Sequence, residues 1–388
     1  MSTFRTKLKE HRLAILAAAL GLGLLGIALG IAQPVGAAST TAPRQIEPAD
    51  NAGCLYCHGK EGMSMTLPSG EVSSLTIDPG HFAGSIHNGL ACTDCHTGIS
   101  GYPHPKFDQQ TQRDITMKWY TSCQKCHAEQ YNKTLDSVHQ RALAGGNTNA
   151  AVCTDCHNPH TQTRLTDPGT GELLPDARVQ IPQTCARCHS VIFDTYKQSV
   201  HGSALTGQGN QDVPTCIDCH GVHNIQDPTT ASFRLDSPEM CGKCHTNATL
   251  MSKYGIPINV LNTYVADFHG TTVTLFEKTS PDQATNKPVC FDCHGVHNIK
   301  KVDDPVYGLE MKANLLTACQ RCHPDATANF PDAWMSHYIP SPTHYPIVYY
   351  VNLFYKIFIP TVIGGMAIYV VSDIVRRLIE RRRGAKHA

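Results

Sequence analysis

The 388-residue sequence predicts a mostly irregular, short-helical protein with very little β-structure, a core not built from side chains, and a C-terminal transmembrane helix. Three observations predict this class. Hydrophobic residues make up 41% of the chain but cluster in two terminal blocks, and 18 cysteines and 22 histidines far exceed ordinary usage. Every cysteine also falls in one repeated motif. Between the blocks too few apolar side chains remain for a conventional core, so either most of the chain is disordered or something other than side chains forms the core. Both alternatives exclude an ordinary soluble enzyme.

The N-terminal segment, residues 1–38, predicts export of the chain beyond it. Basic residues precede an apolar run at 13–32, and small residues suited to cleavage come next at 35–38. A signal peptide has an apolar region of about 7–15 residues, whereas a spanning helix needs about 20. The segment is therefore either a cleaved signal peptide or a retained membrane anchor.

The second apolar block, residues 347–375, predicts an interfacial segment followed by a transmembrane helix. Residues 357–375 are long enough to span a bilayer, and tyrosines and phenylalanines typical of the membrane interface precede them. The basic tail at 376–388 places the C-terminus in the cytoplasm by the positive-inside rule. A buried helix of a soluble domain would leave this tail unexplained. Residues 39–346 are then extracytoplasmic, at the outer face of the cytoplasmic membrane.

All 18 cysteines belong to nine copies of Cys-x-x-Cys-His. The cysteines are Cys54, Cys57, Cys92, Cys95, Cys123, Cys126, Cys153, Cys156, Cys185, Cys188, Cys216, Cys219, Cys241, Cys244, Cys290, Cys293, Cys319 and Cys322. The motif histidines are His58, His96, His127, His157, His189, His220, His245, His294 and His323. Zinc sites and redox dithiols do not require a histidine at that fixed place. Covalent c-type haem attachment does, because the thiols bond the porphyrin and the histidine ligates its iron.

The motifs therefore predict nine covalently bound haem c groups, whose flat macrocycles would supply the apolar interior that the side chains lack. The motif at Cys54 stands alone, and the other eight form four two-haem repeats. The balanced charge, 32 basic against 32 acidic residues, gives no reason to expect a nucleic-acid partner.

Nine further histidines recur in the repeats and are the candidate distal iron ligands, and His104, eight residues after His96, departs from the spacing of the other trailing ones. Five are classed as leading, namely His87, His139, His201, His269 and His337, and four as trailing, namely His104, His160, His223 and His297. His81 and His344 fit no repeat position, and Met63 and Met65 are rival ligands at the first motif. The sequence does not indicate which distal histidine serves which haem.

Nine motifs with nine distal candidates indicate bis-histidine ligation, which leaves no iron position for a substrate. Electron relay is therefore favoured over catalysis. One alternative is a multihaem reductase of a nitrogen or sulfur oxyanion with one open haem, and another is a zinc-clustered structural module.

Several segments carry a family resemblance, namely residues 51–59, 82–96, 101–105 and 334–377. The chain resembles multihaem class III c-type cytochromes, and more closely the membrane-anchored multihaem subunit of menaquinol:cytochrome c oxidoreductase complexes of metal-reducing bacteria. That resemblance implies a cytochrome b-type integral membrane partner that oxidises menaquinol in anaerobic respiration, with periplasmic or surface c-type cytochromes as acceptors. The single C-terminal span has no histidine pair for a membrane haem, so the partner would be another polypeptide.

Overall fold

A computed structural model describes residues 51–101, 103–334 and 337–384. The predicted signal or anchor at 1–38 and the end of the basic tail lie outside the described residues. Over the described part the chain is mostly helical with very little strand, which confirms that part of the predicted fold class.

The helices are short except at the C-terminus. Through the first half they are α1 Ala52–His58, α2 Pro79–Ala83, α3 Cys92–Cys95, α4 Gln112–Trp119, α5 Ala128–Thr134, α6 Val138–Ala144, α7 Cys153–Cys156, α8 Pro175–Ala186 and α9 Ser190–Tyr196. They continue as α10 Val200–Gln208, α11 Cys216–His220, α12 Ala231–His245, α13 Ala248–Ser252, α14 Val260–Ala266, α15 Phe268–Thr279, α16 Cys290–His294, α17 Lys312–Gln320 and α18 Pro346–Gly384. Two 3₁₀ helices cover Tyr120–Lys125 and Phe330–Ala333.

The strands form one small hairpin beside the first motif. β1 Ser64–Thr66 pairs antiparallel with β2 Val72–Ser74, so that Met65 lies opposite Ser73. A single isolated bridge joins Thr166 to Leu173.

Three helices begin one residue before a leading histidine, because the residue two positions before that histidine caps them. The Ser137 and Ser199 hydroxyls accept the backbone N–H groups of Gln140 and Gly202, at 3.1 and 2.9 Å. Asp267 accepts the N–H of His269 in the same way. Small polar side chains at this position satisfy the free donors of a helix N-terminus. Each cap therefore fixes its leading histidine in the first helical turn.

Side chains alone form a small core in the described part of the chain. Its largest cluster consists of Leu235, Val273 and Val289, against which Phe276 and Phe291 pack. The thin apolar composition of the sequence is thus matched by few buried apolar contacts.

The C-terminal helix α18 has 39 residues and an apolar surface that no other described part of the protein covers. At 1.5 Å per residue it is about 58 Å long, whereas a bilayer core is about 30 Å thick. The predicted apolar C-terminal helix is confirmed, and it extends beyond residues 347–375 on both sides. Its length and composition fit a membrane anchor. Asp373, inside the predicted span, pairs with Arg376 and Arg377 at 3.0 and 2.7 Å.

Candidate metal centres

Four motifs each contain an aspartate that determines their backbone conformation. In each Cys-x-Asp-Cys-His sequence the carboxylate accepts the backbone N–H of the residue before the first cysteine, at 2.6 to 2.9 Å. These aspartates are Asp94, Asp155, Asp218 and Asp292. The bond closes a single helical turn, seen as α3, α7, α11 and α16. That turn places both thiols and the following histidine on one short, rigid element.

Each motif histidine stands opposite one of the nine predicted distal histidines, with no histidine used twice. The ring centres of all nine pairs are 5.9 to 6.4 Å apart. In motif order the pairs are His58–His104, His96–His160, His127–His87, His157–His223, His189–His139, His220–His297, His245–His201, His294–His337 and His323–His269.

This spacing fits two imidazoles on one metal ion. Metal–nitrogen bonds of about 2.0 Å, with each ring centre about 1.1 Å beyond its nitrogen, separate the two ring centres by roughly 6.2 Å. The histidines of these sites lie in pairs and not in larger clusters. Among the residues that the structure describes, no group of three or more His, Cys, Asp or Glu could hold a metal ion. The donor set therefore fits a metal whose other ligands come from a bound group such as a porphyrin.

Backbone carbonyls fix the tautomer of several paired histidines. The Nδ1 atoms of His58 and His104 lie 2.9 Å from the carbonyls of Leu75 and Pro105. The Nδ1 atom of His87 lies 3.0 Å from a third carbonyl. A carbonyl only accepts hydrogen bonds, so each Nδ1 carries the proton and each Nε2 keeps a free lone pair. Metal-ligating histidines are commonly held in this way.

Burial keeps at least three of the paired histidines neutral. Burial, followed by the charge of neighbouring histidines, lowers the pKa of His96, His201 and His294 to about 4. Their imidazoles are then unprotonated at neutral pH, the state that a metal ligand requires.

The pairs interlock the repeats. Four leading histidines face the odd-numbered motif that comes after them, namely His87, His139, His201 and His269. Three trailing histidines face the even-numbered motif of the preceding repeat, namely His160, His223 and His297. His337, grouped with the leading histidines in the sequence, faces His294 as a trailing histidine would. Each repeat thus completes a site in its neighbour.

Backbone hydrogen bonds hold this interlock. The residue before a leading histidine donates its N–H to the carbonyl two residues after a trailing histidine. The bonds are Ile86 to Gln162 at 2.9 Å, and Val138 to Ile225 and Val200 to Ile299 at 2.8 Å each.

One trailing histidine occupies a strained turn. His223 has a φ of 65°, and Gly221 two residues earlier has a φ of 81°. The left-handed conformation costs a non-glycine residue on the order of 1 kcal/mol and is found at functional sites. The strain aims the imidazole at His157, whose ring centre is 6.2 Å away.

The remaining candidates lie apart from the pairs. His81 is exposed, 3.7 Å from Asp78, and the ring of His344 stacks on Tyr338 with centres 5.5 Å apart. Met65 lies in β1 and Met63 just before it, while His104 stands opposite the first motif histidine.

Consecutive motifs are direct neighbours. Thiols of successive motifs are close enough to interact electrostatically. The eight interacting pairs are Cys54 with Cys92, Cys95 with Cys123, Cys123 with Cys153, Cys156 with Cys185, Cys185 with Cys216, Cys219 with Cys241, Cys241 with Cys290, and Cys293 with Cys319. Burial and then the adjacent thiol raise the pKa of Cys92, Cys219 and Cys293 to about 11. The motifs thus form one unbroken row in sequence order.

Ion pairs brace this row. Arg113, Arg178 and Arg234 reach the motif aspartates Asp155, Asp218 and Asp292 at 2.9, 2.7 and 2.6 Å. In each case the arginine precedes an odd-numbered motif and its aspartate belongs to the next one. Each ion pair therefore joins two neighbouring motifs.

Basic residues inside the odd-numbered motifs add a second brace. Lys125, Arg187 and Arg321 donate to the backbone carbonyls of Asp94, Asp155 and Asp292 at 3.1, 2.9 and 2.7 Å. The sequence analysis identifies neither these three residues nor the arginines of the ion pairs described above. The signal was present, because Cys-x-Asp-Cys-His alternates with Cys-x-Lys/Arg-Cys-His along all four repeats.

A cavity of about 570 Å³ adjoins the eighth motif. Cys293 and His294 line it together with Lys300, Lys301 and Arg321. A cavity with a thiol, an imidazole and several cations suits a large group that carries carboxylates.

No protein-family model matches the chain, and no solved structure matches its fold. The functional interpretation therefore depends on the geometry of the paired histidines and on the sequence motifs.

Proposed function

We propose that the protein is a membrane-anchored nonahaem c-type cytochrome. In this proposal it relays electrons from a quinol-oxidising cytochrome b-type membrane partner to periplasmic or surface c-type cytochromes in anaerobic respiration. The observation that carries the proposal is the one-to-one pairing of nine motif histidines with nine others at 5.9 to 6.4 Å.

Each site uses residues of this chain in three roles. The two motif cysteines would hold the haem through thioether bonds, the motif histidine would be the proximal iron ligand, and its partner the distal one. Bound in this way, haem c exchanges single electrons between ferric and ferrous iron with no change of ligand. Nine such groups would also fill the interior in which the described side chains form only a small core.

We infer a direction for the relay from the connection between the row of motifs and α18. Its last two pairs, at His294 and His323, belong to the chain segment that leads into α18. Tyr338 stacks on His344, so the loop between the last distal histidine and the helix folds back on itself. Electrons from a membrane partner would therefore enter at this end and leave at the His58 pair.

The charges at the end of α18 favour one orientation in the membrane. Arg376, Arg377, Arg381 and Arg382 come after the apolar part of α18, and basic residues flanking a span face the cytoplasm. The motif-bearing residues would then lie on the periplasmic side. The reductase alternative requires one open haem, whereas all nine motif histidines have a histidine opposite them.

Three histidine substitutions test the relay. His337→Ala and His104→Ala each remove a proposed distal ligand, at the eighth and the first pair of the row, and His81→Ala removes an exposed histidine without a histidine opposite it. In native membranes supplied with a reduced menaquinone analogue, we expect H337A to slow haem reduction. We expect H104A to leave the first reduction steps unchanged but to slow transfer to an added soluble cytochrome.

The spin state supplies the second readout. H337A and H104A should each convert one haem to the high-spin form, while H81A should match the unaltered protein. If H104A slows reduction by quinol as much as H337A, the proposed direction is wrong. If neither variant changes spin state, the ligand assignment is wrong.

A further inference from the structure

The indole of Trp119 has a buried N–H group without a partner. Among the described residues it belongs to a small set of buried side-chain atoms that lack a hydrogen bond, with Thr154 Oγ1, Arg178 Nε, Thr215 Oγ1 and Asp267 Oδ2. Leaving a buried donor unpaired costs about 1–3 kcal/mol, and a buried tryptophan N–H usually has an acceptor. The surroundings of Trp119 therefore indicate an acceptor that the polypeptide does not supply.

Trp119 lies between the first two histidine pairs. Its ring meets His96 edge to face, with centres 4.8 Å apart. On its other side it contacts Phe107 at 4.9 Å, and Phe107 stacks on His104 at 5.7 Å. This aromatic row connects a ligand of the first pair to a ligand of the second.

Lys118 places a positive charge beside the row, and its Nζ atom also lies 3.8 Å from the exposed carboxylate of Asp108. The Nζ atom of Lys118 lies 5.3 Å from the Trp119 ring centre and 5.9 Å from that of Phe107. A cation over an aromatic face beside a free N–H donor suits a negatively charged acceptor.

We propose that the Trp119 Nε1–H donates a hydrogen bond to a carboxylate of the haem held at the His96–His160 pair. The inference rests on the proposed function, since a haem propionate is the carboxylate that such a site would bring beside His96. Trp119 is then a positioning residue: it orients the propionate and partly neutralises its charge.

The chain offers a matched comparison, because it contains only two tryptophans. Trp334 lies near His269 and His337 at the other end of the row, with ring centres 6.1 and 6.5 Å away. It has similar aromatic surroundings, but its N–H is not among the buried unpartnered groups of the described residues. Trp334→Phe therefore controls for loss of an indole beside paired histidines.

The experiment compares Trp119→Phe with Trp334→Phe and Phe107→Leu in the full-length holoprotein. Trp119→Phe removes the N–H and keeps a ring, whereas Phe107→Leu disturbs the same aromatic row and removes no donor. Haem content is measured by mass, the individual potentials by spectroscopic redox titration, and the propionate bending bands by resonance Raman scattering.

We expect Trp119→Phe to keep nine haems, to lower the potential of one of them, and to shift one propionate band. The potential falls because a less neutralised carboxylate favours ferric iron. The inference is overturned if Trp119→Phe leaves the potentials and bands unchanged, or if either control variant shifts them equally. Absence of covalent haem from the unaltered protein would instead overturn the proposed function.

Discussion

A single methyl group at Gly202 would displace a proposed iron ligand. Gly202 is the residue after His201 at the start of α10, and a Cβ atom there would lie 1.9 Å from the carbonyl oxygen of Tyr196. Carbon–oxygen contacts need about 3.3 Å, so the helix would have to move by roughly 1.4 Å. Metal–ligand distances tolerate only about 0.2 Å, so this movement would break a metal site formed by His201 and His245.

Gly202→Ala should destabilise the protein in the way that overpacking of a core does. Gly202→Ala should lower the free energy of unfolding by about 1–3 kcal/mol, the usual range for a forced backbone shift. Gly207→Ala in the same helix is the matched control, because no atom lies within 4 Å of its added Cβ. Alanine is the better helix former, so Gly207→Ala should raise the stability by about 0.5–1 kcal/mol.

Urea unfolding and electron paramagnetic resonance of the oxidised protein measure the two effects. Gly202→Ala should shift the unfolding midpoint down and convert one haem in nine to the high-spin form, and Gly207→Ala should do neither. Gly270, with a Cβ position 2.0 Å from the Tyr264 carbonyl, offers an independent copy of the test. The reasoning is refuted if Gly202→Ala unfolds like the unaltered protein and stays fully low-spin.

Two further predictions concern the ion pairs between motifs and the membrane anchor. Arg234→Met breaks the half-buried pair with Asp292 and should cost about 2 kcal/mol in urea unfolding, whereas Lys312→Met, in an exposed pair, should cost less than about 1 kcal/mol. Deleting Pro346–Gly384 should move the protein from the membrane to the soluble fraction with its haem content unchanged, as fractionation and absorbance would show.

The sequence predicts the fold class, the group of nine motif histidines and the group of nine distal histidines. All three depend on local patterns. Cys-x-x-Cys-His fixes one helical turn, and an apolar run of about 20 residues fixes a spanning helix. The small hairpin of β1 and β2 was not predicted, since two three-residue strands leave almost no alternating pattern.

The pairing itself could not be read from the chain. Paired histidines lie 40 to 77 residues apart, and the trailing ones serve the preceding repeat. Such contacts depend on how repeats pack, which spacing within one repeat does not encode. His337 shows the limit, because its local sequence groups it with the leading histidines while the fold pairs it with His294.

The sequence shows which motifs carry charged residues, but not which residues those charges pair with. Alternation of Asp with Lys or Arg inside the motifs signals two classes of site. The arginine that reaches Asp292 lies 58 residues away, in the helix that ends with the preceding motif. Only the three-dimensional arrangement brings the two charges within 2.6 Å.

The most direct test of the account is to count haems and assign their spin states in the purified full-length protein. Mass measurement under denaturing conditions, combined with electron paramagnetic resonance of the oxidised sample, gives both. The account predicts nine covalently bound haems per chain and only low-spin ferric signals. A high-spin signal from one haem in nine would contradict the relay and favour a reductase, and a chain without covalent haem would contradict the central claim itself.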